Sequence, residues 1–214
     1  MKNHLSLVSK LDGVDSFIVP LSTCQDRCNY FKIDVCYWKN NAHKDFKNPK
    51  RMYIRNLRLM RSSKFVKVLS NDILRANCRK FRFFSGGQTE NLKQLIDVLK
   101  ICKICYMVKF AIMLNDEIQI IQLIQSRYKI PKNANLLLSN YEENKPTPEF
   151  MINELKPHNI GYTQTTLNKK LATCEASTVK NGKCGTCEKC YNQKDITFMI
   201  HGKYNKKRIL NNEM

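Results

Sequence analysis

A chain of 214 residues with 43% hydrophobic content can bury one domain-sized core, and none of its apolar runs reaches the length of a membrane-spanning helix. Its formal charge of +19 excludes an acidic, cation-seeking protein and makes nucleic acid a candidate partner, although Lys, Asn and Ile abound throughout, as in AT-rich coding sequences. The start of the chain lacks a signal-peptide pattern, so the ten cysteines are expected to be reduced in the cytoplasm, which leaves metal ligation, catalysis or burial as their roles.

The first apolar run, Ser16–Leu21, reads as a buried strand ending at Pro20 and leading into a polar loop that carries Cys24, Cys28 and Cys36. Pro49 is placed to open a helix in which Tyr53, Ile54, Leu57 and Met60 recur at helical spacing. A second helix is predicted over Lys64–Arg75. Then Lys80–Phe84 reads as a strand that runs into Ser85, Gly86 and Gly87 and on into a helix from Thr89 to Ile101. A strand within Tyr106–Leu114, a helix from Asn115 to about Ser126 and a strand at Asn135–Ser139 repeat the alternation. Residues 141–148 read as a polar connection, Pro148–Leu155 as a helix, Asn159–Thr165 as a short strand and Asp195–His201 as a closing strand.

This alternation predicts an α/β fold with parallel strands and crossover helices, its functional loops at the strands' C-terminal ends. One domain is expected over 1–214, with core β/α units in 16–140 and a cysteine-rich loop plus closing strand in 171–202. Phe81, Phe83 and Phe84 are expected in the core, since a parallel strand is buried on both faces. Cys102 and Cys105 lie in apolar surroundings and read as buried, inert thiols, and Cys78 is given no role.

The strongest chemical signal is Cys174, Cys184, Cys187 and Cys190, spaced C-x9-C-x2-C-x2-C with Gly182 and Gly185 among them. Thiolates this close in sequence converge on one soft metal centre, either a structural zinc or an iron–sulfur cluster. Cys24, Cys28 and Cys36 supply three sulfurs. Three thiolates on a four-iron (4Fe-4S) cluster would leave one iron open to a ligand; with His43 as a fourth ligand the site becomes closed zinc; or the cysteines are simply buried. Ser85, Gly86, Gly87 and Gln88 form the third feature, because glycines between a strand and a helix allow close backbone approach to a ligand.

Taken together, the three-cysteine loop, the FRFFSGGQ segment and the GKCGTCEKCYN tail closing on a strand with His201 resemble the phage gene-product-88 domain family, related to radical-SAM proteins. The resemblance runs from about Ser16 to His201. It implies a partial (β/α) barrel of radical-SAM-like type with a C-terminal metal loop, in the cytoplasm of a phage-infected host. It also implies one or two 4Fe-4S clusters, the first on Cys24, Cys28 and Cys36, and a Ser85–Gln88 turn that holds the amino group of S-adenosylmethionine. The activity so implied is reductive radical chemistry on an unidentified substrate, with an electron donor as partner and His201 as a further site candidate. Two departures stand out: seven residues separate Cys28 from Cys36, and Gly87 or Gln88 occupies the place where the family pattern has an acid. The alternative is a non-enzymatic, zinc-bearing nucleic-acid-binding protein.

Overall fold

The computed structural model describes residues 14–24, 49–139, 153–166, 168–174, 187–192 and 194–199. In chain order these form β1 (Asp15–Phe17), α1 (Pro49–Met60), α2 (Phe65–Arg75), β2 (Lys80–Phe83), α3 (Leu92–Ile104), β3 (Lys109–Leu114), α4 (Glu117–Gln125), β4 (Ala134–Ser139), β5 (Ile160–Thr166), α5 (Lys189–Asn192) and β6 (Asp195–Met199). The strands make one sheet in which every neighbouring pair is parallel and the spatial order is β1-β2-β3-β4-β5-β6. Each strand is laid beside the one before it; α1 to α4 cover one face of the sheet, whereas α5, in the β5–β6 connection, lies on the other.

That face holds the main core. Phe17, Phe81, Phe83, Phe110, Ile112, Leu136 and Leu138 project from the sheet into a cluster with Leu57 and Met60 of α1, Phe65 and Leu69 of α2, Leu95 and Leu99 of α3 and Leu123 of α4. Within it, Phe83 has ring centroids 5.1 Å from Phe81, 5.8 Å from Phe110 and 6.0 Å from Phe17, a tilted and stacked aromatic run across three strands. The helices join because their apolar residues recur every three or four positions, as at Phe65, Leu69 and Ile73 of α2, all buried.

Element ends differ from the sequence expectation where a side chain or backbone turn intervenes. The ladder of β1 stops at Phe17 because its partner β2 stops: Phe84 turns to φ 62° and gives its N–H to Phe17 O at 2.9 Å. Beyond it, 18–20 carry no ladder bonds and Leu21–Thr23 forms a 3-10 turn. Helix α3 begins at Leu92, not Thr89, because Asn91 is its N-cap, accepting Gln94 N–H at 3.0 Å. It runs on to Ile104, where Asn133 Nδ2 donates to the carbonyls of Cys102, Cys105 and Val108 at 2.8–3.1 Å. That cap turns the chain so that β3 starts at Lys109 and leaves Tyr106 and Met107 exposed. Of the helix expected over Pro148–Leu155, residues 153–155 are helical and 148–152 lie outside the described residues, as does the 141–148 connection.

The opposite face of the sheet is smaller and mixed. By alternation along the strands it presents Ala111, Leu137 and Ile196 together with Ser16, Arg82, Asn135 and Thr163, all buried. Against it lie Cys174, Cys190 and Tyr191.

Candidate functional site

At the C-terminal ends of β1, β2 and β3, two turns are locked together. Val19 N–H donates to Gly86 O at 3.2 Å, Gln88 N–H donates to Thr23 Oγ1 at 2.9 Å, and Ser85 Oγ lies 3.2 Å from Ser16 Oγ. Gly87 is the residue that permits this approach. Its φ is +70°, and a Cβ there would lie 2.5 Å from Val19 Cγ2 and 2.6 Å from Val19 O, so any side chain would push the turns apart. Cys24 closes the 3-10 turn of the same segment and is buried, its N–H bonded to Leu21 O. The structure therefore brings the first cysteine of the upstream loop and the 85–88 turn to the same end of the sheet.

Gln88 is fully buried and oriented by the backbone. Asn115, the residue after β3, gives its N–H to Gln88 Oε1 at 3.1 Å, and only an oxygen can accept there, so the amide's NH2 faces the other way. Among the described residues that Nε2 has no hydrogen-bond partner, and neither does Asn115 Oδ1. A donor and an acceptor are thus left unsatisfied at the end of the sheet where parallel sheets bind ligands. Thr163 Oγ1, on the mixed face of β5, is a third such atom. The neighbouring segment is rigid: Thr89 Oγ1 donates to Gln119 Oε1, Gln119 Nε2 donates to Thr89 O at 2.9 Å and to Asp116 Oδ2 at 2.8 Å, and Asp116 caps α4. From the outer side, Asn56 Nδ2 of α1 donates to Ile18 O at 2.8 Å, and Tyr53 packs on Ile18.

The tail approaches the mixed face at the other end of the strands. Glu188 reaches Lys109 Nζ at 2.8 Å and Lys80 Nζ at 3.3 Å, at the starts of β3 and β2, and these hydrogen-bonded cations hold its carboxyl down to about 2. Asn135 donates through Nδ2 to Cys190 O at 2.9 Å and accepts from Lys194 Nζ at its Oδ1. Cys174 is fixed to β6 through its N–H to Thr197 O at 3.0 Å. Cys174 and Cys190, sixteen residues apart, belong to one buried cluster, and Cys187 is half-buried. Cys28, Cys36, His43, Cys184 and His201 lie outside the described residues. Among the described residues no three His, Cys, Asp or Glu side chains are gathered as a metal site.

The remaining thiols are chemically quiet. Burial and a 3.0 Å hydrogen bond to Asp15 push Cys78 up to about 12, burial takes Cys105 to about 11, and complete enclosure raises Cys102 well above the usual thiol value. Thr23 and Asn115 belong to the site and carry no sequence motif; the usable signal for Asn115 was an Asn directly between an apolar strand and an Asp N-cap. Comparisons with protein-family models, curated proteins and solved structures find no match to this chain.

Proposed function

We propose that this protein is an iron–sulfur protein of radical-SAM-like type, a partial (β/α) barrel that acts on an unidentified substrate. The observation that carries the reading is the meeting, at the C-terminal ends of β1–β3, of the Cys24 turn with a glycine turn that only glycine can make and with two unsatisfied polar atoms. A consecutive, all-parallel strand order is also the order of an open barrel. The donor set suits the groups implied: thiolate sulfur for iron, and an amide pair for an amino-acid end.

Cys24, Cys28 and Cys36 would hold the cluster, which supplies one-electron reduction at an open iron when bound. Gly87 lets the Cys24 turn close onto the 85–88 turn, which would set the cluster beside it. Gln88 does not replace the missing acid, because its oxygen is engaged by Asn115 N–H and its free end is a donor suited to a carboxylate. The acceptor for an ammonium comes from Asn115 Oδ1. Thr89 and Asp116, the residues that follow Gln88 and Asn115, are tied to each other through Gln119 and so hold the two backbone segments together. Cys174, Cys184, Cys187 and Cys190 would close a second metal centre against the mixed face.

Metal analysis of anaerobically purified protein tests this. Iron and acid-labile sulfide in stoichiometric amounts are expected, with Cys36→Ser losing the upstream iron and reductive cleavage of S-adenosylmethionine while the tail metal stays. Cys187→Ser should lower the remaining metal content. Colourless protein with zinc alone would replace this reading with that of a zinc-bearing nucleic-acid-binding protein.

A further inference from the structure

Four of the ten arginines in the chain, Arg51, Arg55, Arg58 and Arg61, fall within eleven consecutive residues, whereas its lysines are scattered along the whole sequence. Between Pro49 and Asn71 there are seven Lys and Arg and no Asp or Glu; the next acid, Asp72, is buried. A lysine-rich coding bias does not produce a local run of arginines. In the structure Arg51, Arg55 and Arg58 are exposed on α1, spaced by four and three residues, so they advance along one side of the helix by about 6 Å and about 4.5 Å. Arg61, at the end of the helix, is paired through two nitrogens with Glu90.

The other side of α1 is the side that supports the candidate site. Tyr53 and Asn56 hold Ile18, two residues before Pro20, whose carbonyl touches the Gly87 position. One helix therefore carries an arginine row outward and braces the site inward. We infer that this row is a docking surface for a nucleic-acid backbone, and that it delivers the strand to the site at the ends of β1–β3, making nucleic acid the substrate class. The second half of this inference rests on the catalytic reading of the site; the first half does not.

Charge and chemistry select the occupant. Guanidinium forks match phosphate oxygens two at a time, and a regular row of them matches a polymer of phosphates better than a single anion. A membrane-surface helix would expose its apolar face, but here Tyr53, Leu57 and Met60 are buried in the protein and Ile54 is the large apolar residue that α1 exposes. Counterion release then predicts a steep salt dependence.

The test is fluorescence anisotropy of a labelled short single-stranded oligonucleotide across a salt series, with the metal-loaded protein. Three proteins are compared: wild type, Arg51→Gln/Arg55→Gln/Arg58→Gln, and a control, Lys129→Gln/Lys132→Gln/Lys156→Gln, that removes equal charge from exposed residues near the starts of β4 and β5. The arginine variant should bind at least about tenfold more weakly at low salt and lower the slope of log K against log [salt] by about two, with the control close to wild type. Equal losses in the two variants would mean diffuse attraction and overturn the docking surface, as would binding to anionic lipid vesicles without binding to the oligonucleotide. Metal content and S-adenosylmethionine cleavage are read on the same samples. If they persist while the oligonucleotide fails to bind, the docking inference falls and the site reading stands; if binding holds and iron is absent, the docking surface stands and the delivery to a catalytic site falls.

Discussion

The two faces of the sheet are made of different material. The helix-covered face is phenylalanine and leucine from β1 to β4, and its thiols, Cys102 and Cys105, are held protonated by burial. The opposite face interleaves Ala111, Leu137 and Ile196 with Ser16, Arg82, Asn135 and Thr163, and it receives Cys174 and Cys190. A uniformly apolar face gains stability in proportion to the area it removes from water and needs no exact partners. A mixed face must satisfy each polar atom, so it is the face where an unsatisfied one carries information. Cysteine chemistry divides along the same line.

If the helix-covered face carries the stability, truncation there has the largest effect. Phe83→Ala should cost about 3–5 kcal/mol in urea unfolding, since the ring is fully enclosed by Phe17, Phe81 and Phe110. A loss under 1 kcal/mol would place the main core elsewhere. Gly87→Ala should cost about 2 kcal/mol through its positive φ and the clash with Val19, and should also lower iron content, because the Cys24 turn is displaced. Retained iron at reduced stability would separate the glycine turn from the metal loop. Asn133→Ala leaves three carbonyls at the end of α3 without their shared donor and should cost about 1–2 kcal/mol, with metal content unchanged.

The smallest effect concerns pH. The Glu188 carboxyl sits below its ordinary value, so its contribution is fully present above about 4.5 and is lost as pH falls through about 2. Glu188→Gln should therefore flatten the acid-unfolding profile between those values while changing neutral stability little. An unchanged profile would show that the tail is held by Asn135 and the apolar cluster alone.

The alternation of elements was legible because each helix has one apolar stripe and β3 and β4 are short, mostly apolar runs between them; α1, α2, α4 and β4 fall within two residues of where their patterns place them. Ends were less legible. Asn91 and Asn133 look alike in sequence, yet one caps its own helix and the other caps a helix twenty-nine residues earlier, which only the packed chain defines. The site divides similarly. The 85–88 turn and Cys24 follow from local pattern, whereas Asn115 matters through its orientation relative to Gln88 on another strand's end. Burial of β2 on both faces extends to Arg82, the polar residue between Phe81 and Phe83, and that it makes the second face mixed is defined by the packed sheet.

Glu188 spans the first residues of β2 and β3 from a point 79 positions beyond Lys109 in the chain. On a ribosome, β1 to β5 emerge before α5 exists to cover them. The mixed face thus waits, open and wettable, until α5 has been made, and anything inserted beneath Cys190 must arrive either in that interval or through a tail that lets go of two lysines.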